Sequence, residues 1–174
     1  PYQIQLRGPD TYDWHQTYQK ILLLDELEIL FLGSGRIESR FENKVTLDPN
    51  RKDEYGVPEI RVHYSYSETD QAVIRQTMEA IHQIAFALGI TLISRDGMPA
   101  VCLMPPGDLH HDSGTCRMGD DPSTSATNRY GQIHGVYGLY VADNSVLPSA
   151  GTANVTLTTI ALAIRTADYI IREE

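Results

Sequence analysis

Between Ile60 and Ser65 the chain alternates, with Ile60, Val62 and Tyr64 on one side and Arg61, His63 and Ser65 on the other. That period of two predicts a strand in a sheet with one buried face and one wetter face. Tyr2, Ile4 and Leu6 alternate with polar residues in the same way near the start. The apolar run Glu26 to Leu32 predicts a further strand, closed by a turn at Gly33-Ser34-Gly35. Lys44 to Leu47 predicts another, ended by Asp48-Pro49-Asn50 and followed by a polar loop from Arg51 to Gly56.

Two segments carry helical periodicity instead. Ser67-Glu68-Thr69-Asp70 is a helix-start signal, because a hydroxyl or carboxylate there satisfies the first free amides. Ile74, Met78, Ile81, Ala85 and Leu88 then form a core-facing stripe, with Gly89 placed as the C-terminal cap. A last helix is expected from about Val155 to Arg172, with Leu157, Ile160, Ile164, Ala167 and Ile171 facing the core. Between the helices, residues 105–155 are rich in Gly, Pro, Ser, Thr, Asp and Asn, with a short apolar strand at Leu139–Ala142. A turn-rich stretch of that length inside a compact domain is usually functional. The order of elements predicts an α+β fold, a mixed and largely antiparallel sheet packed against helices, rather than a doubly wound sheet.

Composition changes this picture little. With 174 residues, 41% of them hydrophobic and 21% charged, and a mean hydropathy of −0.28, the chain has material for one substantial core. A net charge of −9 argues against nucleic acid as a partner, since phosphate binding wants a basic face. No apolar run reaches the roughly 20 residues of a membrane-spanning helix. Cys102 and Cys116 are too few for a disulfide framework and are expected to be reduced and buried. The chain opens on Pro1 without a basic and apolar leader, and reads as a piece of something longer.

The candidate chemistry lies in His110-His111-Asp112-Ser113-Gly114-Thr115-Cys116-Arg117-Met118-Gly119. From the residues alone, four readings stand. His110, His111, Asp112, Cys116 and His134 are metal-ligand types, although H-H-D-x-x-x-C has no standard tetrahedral spacing. A histidine is suited to general-base work near neutral pH. Two loop histidines bonded to backbone or water is the bland alternative, and a hydrolytic triad lacks its G-x-S-x-G elbow.

The same stretch, H-x-x-G-T-C-R-M-G, resembles the segment carrying the catalytic histidine in the GMC (glucose–methanol–choline) oxidoreductases. Asn128-Arg129 with Gly135 to Pro148 is similar to a second stretch of that family, and Gly151 to Ala163 is similar to its closing signature. Pro1 to Leu6, Lys44 to Asp48 and Asp53 to Pro58 resemble its sugar-oxidising, pyranose-oxidase-like branch. The resemblance implies an FAD-dependent enzyme that oxidises a CH–OH group of an alcohol or sugar. It assigns His111, three residues before Gly114, as the base, and Asn154 as the group orienting the substrate oxygen. Val155 stands where the family more often has proline. It further implies that backbone amides at Val155 and Thr156 approach the flavin ring, and that Asp143 and Asn144 lie beside its ribityl and pyrophosphate portion. Asn154 also fits a plain helix N-cap, and Asp143 a turn residue.

In this frame residues 1–107 are a substrate-binding portion, and residues 108–174 hold the catalytic segment with a strand and helix that complete a flavin domain. The glycine-rich phosphate cradle of such enzymes is missing. Leu32-Gly33-Ser34-Gly35-Arg36-Ile37-Glu38 has Glu38 where the third glycine belongs, and is expected to be a hairpin turn. The chain by itself is therefore expected to hold FAD poorly, to need an N-terminal flavin-binding part, and to expose apolar surface without it. The alternative is a non-catalytic fragment or binding module.

Overall fold

The computed structural model describes residues 1–8, 29–94, 97–105 and 111–173. Its elements are strands β1 (Tyr2–Arg7), β2 (Leu30–Gly35), β3 (Lys44–Lys52) and β4 (Pro58–His63), helix α1 (Glu68–Leu88), a 3₁₀ turn (Asn144–Val146) and helix α2 (Thr156–Glu173). The strands form two antiparallel pairs, β1 with β2 and β3 with β4, so the fold is α+β as expected. Two compact units divide the chain, one of residues 1–35 and 73–103, the other of 36–72 and 104–174. Among the described residues no helix is long and apolar enough to cross a membrane.

In the first unit, β2 runs through the glycines expected to form a turn, with Gly33 opposite Ile4 and Gly35 opposite Tyr2. The reason is the helix beside it. A Cβ at Gly33 would stand 2.6 Å from Thr77 Cγ2, and one at Gly35 would stand 2.7 Å from Val73 Cγ1. The glycines thus let α1 lie close to the ribbon, which is one use of glycine inside a strand. Ile81 and Ala85 of α1 are buried and Leu88 is exposed, so the expected stripe holds for its central part only. The expected start at Glu26 lies outside the described residues.

Helix α1 begins and ends as its sequence predicts. Asp70 N–H donates to Ser67 Oγ at 3.1 Å and Ser67 N–H donates to Asp70 Oδ2 at 2.9 Å, a reciprocal capping arrangement. At the other end Gly89 takes φ 66°, while Ile90 N–H donates to Ala85 O at 2.9 Å.

In the second unit, β3 continues through Asp48-Pro49-Asn50 to Lys52, and the turn falls at Asp53–Val57. The register is irregular between Leu47 and Lys52, where a proline without an N–H is tolerated. Asp48 is buried and bonded to Arg61, with Asn50 N–H donating to it at 2.9 Å. Val45, Leu47, Ile60 and Val62 share one face of this hairpin, and all four are exposed. The buried face expected there is absent.

The stripe expected to bury α2 is likewise its surface, with Leu157, Ile160, Ile164 and Ile171 exposed. The face that packs is nearly opposite: Val155 and Thr166 are buried, and Thr159, Leu162 and Tyr169 half-buried. Tyr169 stacks on Tyr130 at 4.0 Å, and Gly131 lies so close that a Cβ there would stand 3.2 Å from Thr166 Oγ1. The strand expected at Leu139–Ala142 is only a bridge of Tyr140 to Gln132. Both cysteines are free, Cys102 exposed and Cys116 half-buried, against the expectation of burial.

Candidate active site

Among the described residues, Val146, Leu147 and Val155 are the buried apolar ones of the second unit, and the candidate site is built on them. Asp143 caps the 3₁₀ turn by accepting from Ser145 N–H at 2.8 Å. The Ser145 hydrogen bonds hold its carboxyl below the usual carboxylate range. Asn144 Oδ1 accepts from the Thr159 hydroxyl, which fixes the turn to the first turn of α2. Asp143 and Asn144 thus commit these oxygens to internal bonds.

The chain then lines a hollow of about 190 Å³ with Leu147, residues 149–155 and Thr158. Asn154 is exposed in it, and among the described residues its side chain has no hydrogen-bond partner. Helix α2 starts at Thr156, with Thr159 N–H donating to Val155 O at 2.9 Å, so the cap position is Val155. The N-cap reading of Asn154 is therefore corrected. The first amides of the helix are left without partners inside the helix, as at any helix start.

The His111 loop is tied to the same core. Cys116 N–H donates to Ser145 O at 3.0 Å and Met118 N–H to Val146 O at 2.8 Å. A Cβ at Gly114 would stand 3.4 Å from Leu147 O. His111 is exposed and takes φ 76°, the left-handed region that non-glycine residues seldom enter. Strain of this kind clusters at functional sites. The segments bearing His111 and Asn154 thus both meet one stretch, Asn144 to Leu147.

Other residues singled out by sequence make local hydrogen bonds. His134 Nε2 lies 3.0 Å from Ser125 Oγ and 3.2 Å from Gly119 O, and His63 Nε2 lies 2.9 Å from Thr46 Oγ1. Arg117 Nε donates to Thr124 O at 2.9 Å. His110 lies outside the described residues, among which no group of three or more His, Cys, Asp or Glu could hold a metal.

Two further residues owe their surroundings to contacts distant in sequence. Ser39 Oγ donates at 2.7 Å to the carbonyl of Pro148, which lies in the chain between the lining residues Leu147 and Ser149. Tyr64 has its phenol pushed up to about 12, first by burial and then by Tyr66, Asp70 and Asp112. Strand alternation puts Tyr64 on a face, but it cannot report a neighbour as distant in sequence as Asp112.

The family model described as GMC oxidoreductase matches residues 39–163. Over 130 residues, 75% of this chain, it is 42% identical to a 2-methyl-1,2-propanediol dehydrogenase of Mycolicibacterium austroafricanum. Over 187 residues, 97% of this chain, it is 29% identical to a pyranose 2-oxidase of Tricholoma matsutake. It covers 23% of the first protein and 32% of the second, so it spans under a third of either. A crystal structure of pyridoxine 4-oxidase from Mesorbium loti is similar in fold, with a TM-score of 0.53 and 18% identity over 82% of this chain and 29% of that one. With the match covering the hairpin, α1, both site segments and the start of α2, this chain belongs to the GMC oxidoreductase family.

Proposed function

We propose that this chain is the C-terminal part of an FAD-dependent oxidoreductase that oxidises a CH–OH group of an alcohol or sugar. In this reading residues 1–107 serve substrate binding, and residues 108–174 complete a flavin domain whose remainder is N-terminal. The observation that carries it is Asn154, an exposed amide without a partner among the described residues, in a hollow whose lining includes Val155 and Thr158 at the start of α2.

The residues fit an electron-rich flavin edge at the amides of Val155 and Thr156, but a hollow of about 190 Å³ is far too small for a dinucleotide. Asp143 and Asn144 would line its ribityl and pyrophosphate portion. Bound FAD would accept the substrate's hydride at N5. His111 takes the hydroxyl proton as the C–H bond is given up, and Asn154 donates its amide hydrogen to the same oxygen and fixes its direction. The relatives' names specify a 1,2-diol and a pyranose, and both are CH–OH donors.

His111→Ala in the flavin-loaded full-length protein is expected to leave flavin bound and to slow anaerobic flavin reduction by roughly 10²–10⁴-fold. An unchanged reduction rate would rule His111 out as the base.

A further inference from the structure

The 3₁₀ turn Asn144–Val146 is gripped from two sides. On one side its main-chain carbonyls are taken, Ser145 O by Cys116 N–H at 3.0 Å and Val146 O by Met118 N–H at 2.8 Å, both from the loop that follows His111. On the other side the Asn144 side chain accepts from the Thr159 hydroxyl of α2. The turn closes without that side chain, since Val146 N–H donates to Asp143 O at 3.3 Å and Leu147 N–H to Asn144 O at 3.1 Å. The bond from Thr159 to Asn144 is therefore a tie between two elements.

Thr159 spends its hydroxyl differently from other helical threonines. Thr77 Oγ1 donates to Val73 O at 2.8 Å and Thr166 Oγ1 to Leu162 O at 3.1 Å, each to the carbonyl four residues back. The equivalent carbonyl for Thr159, Val155 O, lies 3.1 Å from its Oγ1 but already accepts Thr159 N–H at 2.9 Å. Asn144 Oδ1 has no other donor among the described residues, so the single hydroxyl proton serves it. This tie joins the turn that leads into Leu147 to the first helical turn after Val155. Both of those residues are buried and line the hollow, and Asn154 directly precedes Val155. The Asn154 amide has no hydrogen-bond partner among the described residues, so its direction rests on the backbone that carries it.

We propose that Asn144 and Thr159 are a positioning pair, whose hydrogen bond fixes the start of α2 against the 3₁₀ turn and thereby aims Asn154 at the substrate oxygen. Thr159 touches neither substrate nor flavin and acts through Asn154. This inference rests on the reading of Asn154 as the group that orients that oxygen.

The test is anaerobic flavin reduction in the flavin-loaded full-length protein, with a short 1,2-diol or a pyranoside as donor, whichever reduces the parent. Thr159 is the residue to change, because Asn144 is also assigned to the flavin. Thr159→Val keeps the shape without the hydroxyl and is expected to slow the limiting reduction rate about three- to tenfold, the scale of one hydrogen bond. Thr159→Ser keeps the hydroxyl and should stay within about twofold of the parent. In an Asn154→Ala background Thr159→Val should add little, because the group it aims is gone. Thr166→Val removes a back-bonding hydroxyl from the same helix and should lower the melting temperature without slowing reduction. Should Thr159→Val fail to load flavin, Thr159→Ala is read in its place. A parent rate without the hydroxyl, equal slowing in Thr159→Ser or Thr166→Val, or a full multiplicative loss on top of Asn154→Ala overturns the proposal. If Asn154→Ala itself reduces flavin at the parent rate, the reading of Asn154 fails and this inference with it. If Asn154→Ala is slow and Thr159→Val is not, the positioning pair alone is wrong.

Discussion

Helix α1 buries the centre of its apolar stripe, Ile81 and Ala85, in the first unit, while α2 carries Leu157, Ile160, Ile164 and Ile171 on its surface. The two helices have the same spacing of apolar residues, so the pattern marks a face to be covered without naming what covers it. Helix α2 is held instead from its other side, by Thr159 to Asn144, by Tyr169 on Tyr130, and by Arg165 to Arg129 O. In the proposed function, the exposed stripe is where the remaining flavin domain packs.

The largest effect that separates the helices is a core truncation. Ile81→Ala is expected to cost about 2–5 kcal/mol in denaturant unfolding of the isolated chain, the range for large-to-small core changes. Ile164→Ala in the same chain should stay within about 0.5 kcal/mol, as for a surface change. Equal costs would break the comparison. Next, Gly33→Ala sets a Cβ against Thr77 Cγ2 and is expected to cost about 1–3 kcal/mol as overpacking. Thr77→Ser removes that methyl and should recover much of the loss in a double-mutant cycle, showing how closely α1 must approach.

The helix starts differ as well. Ser67→Ala removes the α1 cap and should cost about 1 kcal/mol, read as a lower melting temperature. At the start of α2 the cap position is Val155, which has no side-chain acceptor, so that helix depends on packing. The smallest effect is acid sensitivity. Asp48, Asp121 and Asp143 all lie below their ordinary value of 3.8, chiefly through hydrogen bonds from Asn50, Ser123 and Ser145. Each therefore adds stability that is present above pH 3.8 and lost as pH falls through its lower folded value. All three belong to the second unit, so acid should loosen α2 before α1, as followed by amide exchange against pH.

The sequence was most legible where local chemistry decides the outcome. Ser67 with Asp70 and Gly89 bound α1 through contacts within a few residues, and the α+β class followed from the order of elements. It misled where a distant element overrides a local signal. Gly33-Ser34-Gly35 reads as a turn but is strand because α1 needs the space. Asp48-Pro49-Asn50 also reads as a turn, yet Arg61 holds Asp48 within the hairpin. At the candidate site, only the resemblance to the GMC motifs points to His111 and Asn154. That Val155 rather than Asn154 takes the cap position is a consequence of packing that spacing does not carry.

Amide hydrogen exchange of the isolated chain against the flavin-loaded full-length protein tests the central claim most directly. The account predicts that the amides of residues 157–171 gain strong protection in the full-length protein, while those around Ile81 and Ala85 in α1 change little. Equal protection of α2 in both forms would contradict it, because the exposed stripe would then have no partner in the longer protein.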